Sequence, residues 1–418
     1  MKKSVLSIII LILLAGFVFG KNQKETVTPK ELCFDIQRIQ IDISHSAMKA
    51  LYNPEPFEQL KQDVMDGKVD RLECVLRLQK IISDYHVVHL ALTQQSKDPA
   101  TQILIPLQLH CFEDGYRVFM TDQKYKKYIG WKLKEMAGLP VEQARDKILD
   151  YYSYETPTGA NHILEYVFNY YQMKHAGLLD ERGRLKVVLE SPDGKQESIS
   201  FNKIHSSKIK AAYLYPEKGF SYHPYVVNQN YGILSCKEKR TLYIPYKSCF
   251  GIPEYPITEL FSDIKKELQT GLYDTVVFDI RYNGGGMPRE AIVFRHLFYD
   301  NREDFNKCNL AIVTGGWTYS AATWFLGDFI DVFPKAVIFG EETGQAVFNY
   351  TYVLPYALRK LNCQFMFPQA IDDNPVLQAR AKDIYRGTMP DVEVYERYED
   401  FMKGEDSIYN AIYEYFNK

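Results

Sequence analysis

From about residue 230 onward, short apolar runs alternate with helical segments, and this alternation constrains the fold more than any other feature. Thr275 to Ile280 is nearly continuously apolar, Leu310 to Val313 is a second such run, and Ala336 to Phe339 a third. Pro256 opens a helix whose apolar face is Ile257, Leu260, Phe261, Ile264 and Leu268, and a further helix starts at Ser320. Leu242-Tyr243-Ile244-Pro245-Tyr246 reads as a short strand whose proline suits an edge or a strand end. Buried strands alternating with helices predict an α/β domain built on a mostly parallel sheet over 230–418.

The 418 residues leave room for more than this one unit. The chain begins with Lys2-Lys3, an apolar run from Val5 to Phe19, and Gly20. At about 15 residues that run falls short of the ~20 that a spanning helix needs. It has the plan of a secretory signal peptide over 1–20, so the mature chain is expected to be exported, periplasmic or extracellular, with no stable membrane span. Residues 24–95 read as a helical segment, in which Leu72, Val75, Leu76, Leu78 and Ile82 recur at helical spacing. The segment ends in Asp84-Tyr85-His86-Val87-Val88-His89-Leu90-Ala91-Leu92, where β-branched residues and alternation suggest a change to strand. Residues 100–205 read as a β-rich module. In it Ile103-Leu104-Ile105 and Tyr116 to Phe119 flank a turn at Asp114-Gly115, and Arg184 to Glu190 leads into Pro192-Asp193-Gly194.

Composition narrows the function. The net charge is −3, and no basic stripe suggests a nucleic-acid partner. Seven scattered cysteines without a C-x-x-C pair fit neither a disulfide framework nor a zinc site, although Cys236 and Cys249 could face each other. No metal or cofactor is implied. Aromatic residues make up an unusually high 14% of the chain and suit a surface that grips extended polypeptide or, better for most of them, a packed core.

Two glycine-rich loops leave the carboxyl ends of predicted parallel strands, where open α/β sheets place their sites. One is Asp279-Ile280-Arg281-Tyr282-Asn283-Gly284-Gly285-Gly286, the other Thr314 to Ser320. Consecutive glycines let a backbone approach closely and turn N–H groups outward, as an oxyanion hole requires. Ser320 opens the following helix. On position alone it is either an N-cap or a nucleophile beside the helix's positive end.

The wider pattern favours the nucleophile. Asp279-x-Arg281-x-Asn283-Gly284-Gly285-Gly286, then Thr318-Tyr319-Ser320-Ala321-Ala322, then Gly340-Glu341-Glu342-Thr343-Gly344, and finally Gly387-Thr388-Met389-Pro390-Asp391 resemble, in order, the core motifs of the C-terminal processing (tail-specific) peptidase family. The resemblance covers about 230 to 395 and, more loosely, back to about 80. It implies a crotonase-like α/β core, a degenerate PDZ-like module at 100–205 and an N-terminal helical segment. The implied activity is that of a serine endopeptidase acting on polypeptide. Ser320 falls on the family's nucleophile, and Gly285 or Gly286 with the Ala321 N–H falls on its oxyanion hole.

One branch of the family activates its serine with a lysine, but Gln345 or Ala346 stands at that place here. The other branch, similar to the tricorn core protease, uses a histidine ahead of the module. His86 is the expected base, with His89 as the runner-up on the opposite face of a strand. The glutamate that orients that base has no counterpart, and Asp383 is the candidate substitute. If neither arrangement forms, the alternative is a catalytically impaired member that binds a peptide or an apolar ligand.

Overall fold

The computed structural model describes residues 27–220, 223–372 and 374–417, so the expected signal peptide, Met1 to Gly20, lies outside the described residues. The chain is mixed α/β with several sheets. Among the described residues no helix is long and apolar enough to cross a membrane.

The apolar runs form the expected sheet. Its order is Leu234–Cys236, Thr241–Pro245, Thr275–Asp279, Asn309–Thr314, Val337–Gly340 and Val392–Glu393, parallel throughout except for the first pair. Side chains alternate across it, and both faces are covered, which is why these strands read as continuous apolar runs. Val276, Phe278, Leu310 and Ile312 face the helices Ile257–Gln269, Pro288–Phe305 and Ala321–Val332, where the Phe278 ring meets Phe294, Phe298, Phe325 and Phe329. Val277, Ala311 and Val313 face Ile408, Tyr409 and Ile412 of the helix Ser407–Phe416. Cys236 and Cys249 belong to the cores on opposite faces, so they do not meet, and all seven cysteines are free.

Thr275–Asp279 and Asn309–Thr314 are neighbours, so the two glycine-rich loops leave the sheet side by side. A buried ion network fixes the first of them. Arg281 pairs with Asp279 at 2.6 Å and with Asp406 at 2.7 Å, and donates to the Tyr243 hydroxyl at 3.0 Å. It ties the strand end to the cap of the last helix.

The N-terminal helices Pro29–His45, Glu55–Met65 and Arg71–Ser83 do not form a core of their own. Ile36, Ile39, Val75 and Leu78 pack with Leu358, Phe365 and Phe367 from the hairpin Asn349–Leu358/Cys363–Asp372, and that hairpin continues into Ala91–Gln94 as a three-stranded sheet. The β-rich stretch is a seven-stranded antiparallel sheet. Its hairpins lie at Asp114-Gly115 and Pro192-Asp193-Gly194 as expected, but the first pairs Leu107–Phe112 with Gly115–Asp122. Ile103–Leu104, cut off by Pro106, pairs with Ile204–His205 instead.

An alternating chain of imidazoles and carboxylates is buried where this sheet meets the parallel one. His162 Nε2 lies 2.8 Å from Glu341, and its Nδ1 is 3.2 Å from Glu165 but off the line of a hydrogen bond. His110 then bridges Glu165 at 3.1 Å and Glu396 at 2.6 Å, and His223 lies 2.7 Å from Glu396. Burial alone would lower the His110 pKa, but the two carboxylates outweigh it and push it up to about 10. Burial likewise works against the ionised Glu165 and Glu396, and the imidazoliums outweigh it and hold both well below the usual carboxylate range.

The sign of the pH dependence follows. The imidazolium contribution is complete below His110's ordinary value of 6.5 and is lost as pH rises through about 10. The carboxylate contribution is present above the ordinary value of 4.5 and is lost as pH falls through the depressed values. Thermal midpoints measured across pH should therefore peak between about 4.5 and 6.5 and decline toward 10. In His110→Gln the alkaline decline should flatten; an unchanged slope would show that the pair contributes nothing.

Candidate active site

The polar residues of the two glycine-rich loops have separate structural tasks. Asn283 donates from Nδ2 to Tyr246 O at 2.9 Å, while its Oδ1 accepts the Gly285 N–H at 2.9 Å. Its own carbonyl accepts the Tyr319 N–H at 3.0 Å, which stitches the first loop to the second. Thr318 completes the seam by donating to Ile280 O at 2.9 Å.

Ser320 sits at the N-cap of Ala321–Val332, yet its side chain makes no cap hydrogen bond. Its backbone has φ 57° and ψ −128°, close to a region that only glycine occupies readily. Such a conformation costs about 1–3 kcal/mol and persists only where neighbours impose it. The Ser320 N–H is held by Gln345 Oε1. Its carbonyl accepts from the Thr323 N–H at 2.9 Å and the Thr323 hydroxyl at 2.7 Å. Gly285, at φ 92°, passes so close that a Cβ there would lie 2.6 Å from Ser320 Cβ and 2.9 Å from Tyr319 O. A glycine is required.

The bent backbone delivers the Ser320 hydroxyl to a histidine. His89 Nε2 lies 3.1 Å from Ser320 Oγ, and His89 Nδ1 lies 2.6 Å from Tyr350 O. A carbonyl only accepts, so Nδ1 carries the ring proton and Nε2 offers its lone pair to the hydroxyl. Gln345 Nε2 is 3.4 Å from His89 Nδ1; both atoms are donors, so the contact is packing, not a hydrogen bond. Burial lowers the His89 pKa below 6.5, and the hydrogen bond to Tyr350 O opposes this only in part.

His89 therefore takes the place expected of His86. His86 is exposed, at φ 51°, with its ring edge-on to Tyr154 at 4.8 Å. The expected change to strand within 84–92 comes only at its end. The chain turns first, with the His86 N–H on Ser83 O and the Leu90 N–H on Val87 O, and strand begins only at Ala91. Asp383 does not orient the base either. It is exposed, and its carboxylate accepts the Tyr385 N–H at 2.9 Å within its own turn. Among the candidate oxyanion donors, the Gly285 N–H is taken by Asn283, whereas among the described residues nothing accepts the Gly286 and Ala321 N–H groups.

Gln345, where the lysine was sought, is held by the two remaining motifs. Thr343 Oγ1 donates to Gln345 O at 2.8 Å and accepts the Thr388 N–H at 2.8 Å. Glu342 takes the Gly387 N–H at 2.9 Å and the Arg386 guanidinium at 2.8 and 2.9 Å. No local signal in the sequence marks Tyr350, which acts through its backbone.

No protein-family model and no curated protein matches the sequence. The fold is shared with CPAF. The structure of mature CPAF complexed with lactacystin superposes with a TM-score of 0.58 at 10% identity, covering 94% of this chain and 98% of that one. A second structure of mature CPAF gives 0.56 at 10% identity, over 93% and 96%. The photosystem II D1 C-terminal processing protease aligns over 90% of this chain and 98% of its own at 13% identity, with a TM-score of 0.43.

Strain at Ser320 has a measurable consequence. Ser320→Gly removes the unfavourable φ and should unfold at a higher temperature than Ser320→Ala, by the equivalent of about 1 kcal/mol. A lower midpoint for the glycine variant would mean that the backbone there stores no strain.

Proposed function

We propose that the protein is an exported serine endopeptidase of the C-terminal processing type, nearer the tricorn-like branch, with a crotonase-like core and a PDZ-like module. The observation that carries this reading is the 3.1 Å contact between His89 Nε2 and the hydroxyl of a serine held at positive φ. The CPAF-like fold and the four ordered motifs support it.

The chemistry follows from the donors and acceptors. As the Ser320 oxygen attacks a peptide carbonyl, His89 Nε2 takes its proton. The carbonyl oxygen becomes an anion, for which the Gly286 and Ala321 N–H groups and the positive end of Ala321–Val332 are the donors. The imidazolium then returns the proton to the leaving amine, and an ester remains on Ser320. Water, deprotonated by the same nitrogen, releases the acyl group. With its pKa below the ordinary histidine value, His89 is already neutral, as a base must be, at pH 7.

A second reading keeps the fold but not the turnover. His89 Nδ1 is oriented by a carbonyl, which stabilises the imidazolium less than a carboxylate would, and this favours a slow or purely binding member.

Labelling with a fluorophosphonate decides between them. The mature protein should be modified at Ser320, about a hundredfold or more slower in His89→Ala and at the wild-type rate in His86→Ala. No labelling of folded protein would remove the peptidase reading. Equal slowing in His86→Ala would return the base to that residue.

A further inference from the structure

The segment 153–156 belongs to neither glycine loop, yet it brackets both His89 and Gln345, whose side chain holds the Ser320 N–H. Ser153 Oγ donates to Leu90 O at 2.9 Å, just after His89, and Glu155 Oε1 accepts the Val88 N–H at 3.0 Å, just before it. Glu155 Oε2 accepts the Ala346 N–H at 3.1 Å, next to Gln345. Thr156 Oγ1 reaches the carbonyls of Thr343 and Gly344 at 3.1 Å each, on the other side of Gln345. One carboxylate thus spans the segment that carries the base and the loop that carries the amide holding the Ser320 N–H.

We infer that Glu155 is a positioning residue: its carboxylate, by accepting one N–H from each segment, sets the His89–Ser320 distance. The inference rests on the peptidase reading for its consequence in catalysis, but the staple itself is a property of the fold. It gives a physical answer to the absent orienting carboxylate. Here the negative group holds the backbone just before His89 and the backbone beside Gln345, and leaves the ring to Tyr350 O.

Geometry makes the ionised form the working one. A carboxylate presents an acceptor to both amides, whereas a protonated acid must aim its O–H at one of them, or turn away. Among the described residues no Lys, Arg or His forms an ion pair with Glu155. The Tyr319 phenol, next to Ser320, lies near enough for the Glu155 charge to help raise its pKa, and His89 and His86 lie beyond Val88 and Val87. Burial accordingly pushes the Glu155 pKa up to about 7, against the two amide hydrogen bonds that lower it. The staple should loosen as pH falls through about 7, above the pH at which His89 itself takes up a proton.

The test measures the rate at which a fluorophosphonate phosphonylates Ser320, with loss of fluoride, against pH for the wild type, Glu155→Gln and Glu155→Asp, with thermal unfolding as the check on folding. The wild type should lose reactivity with an acid midpoint near 7. Glu155→Gln, which offers only one acceptor, should react about tenfold to a hundredfold more slowly. Its acid midpoint should move below 6.5, to that of His89. Glu155→Asp should keep the wild-type shape of the profile at a reduced rate. A folded Glu155→Gln that reacts at the wild-type rate, or more slowly with an unmoved midpoint, would overturn the assignment. If the wild type does not react at all, the peptidase reading fails, and NMR then decides the staple alone. The Val88 and Ala346 amide shifts should titrate together near pH 7 and lose that titration in Glu155→Gln; independent or absent titration in the wild type would overturn it.

Discussion

The left-handed backbone at Ser320 is the constraint on which the surrounding structure depends. A serine at φ 57° is unfavourable by itself, so every neighbour that holds it there is a condition of the site. Gly285 lacks the Cβ that would strike Ser320. Gln345 takes the N–H that the bend leaves pointing away from the helix. Thr323 takes the carbonyl twice. The same bend turns the hydroxyl from its ordinary duty as a helix cap toward His89. Capping and nucleophilic positions thus compete for one residue, and the backbone angle decides between them.

That arrangement needs two loops to stay in register, and the sheet supplies it. Thr275–Asp279 and Asn309–Thr314 pair in parallel with Asp279 opposite Val313, so the loops start level. Asn283 then bonds across them, and the buried Arg281 network anchors the first to the last helix. A buried arginine between two aspartates adds little net stability compared with apolar packing, but loss of one partner leaves a charge stranded at a cost of about 3–5 kcal/mol. Its effect is to fix a strand end in one position. The Gly-Glu-x-Thr-Gly and Gly-x-x-Pro-Asp words act alike: Glu342 and Thr343 bind the backbone of Gly387 and Thr388, and hold the loop that carries Gln345.

What could be read from the sequence divides along the range of the interactions. The parallel strands are legible because burial on both faces leaves unbroken apolar runs, and the two glycine loops because they leave adjacent strand ends. The histidine that meets Ser320 lies three residues beyond the expected one. Val87-Val88 has the composition of a strand, but tertiary contacts bend 84–90 into turns, which carries His86 outward and His89 inward. Strand alternation then had no bearing on which histidine faces the site. Asp383 failed for a similar reason, since a local Asx turn satisfies its carboxylate. The shared core between the N-terminal helices and the hairpin 349–372 joins segments some three hundred positions apart, and no local pattern records such a contact. Tyr350 is the extreme case, because any residue there has the same carbonyl.

His89 is therefore supported unlike an imidazole held by a carboxylate. A carboxylate both orients an imidazole and stabilises its charged form, whereas a carbonyl does the first far better than the second. The consequence appears in the direction of the His89 shift: burial lowers its pKa, and Tyr350 O does not restore it. An imidazole of this kind stays neutral over a wider acid range, but its charged form is less stable. Chemistry on such a base depends more heavily on geometry, since distance and alignment must make up for what electrostatics does not provide. That dependence explains why so many hydrogen bonds in this structure end on the backbone beside His89 and Gln345, and so few on the reactive groups themselves.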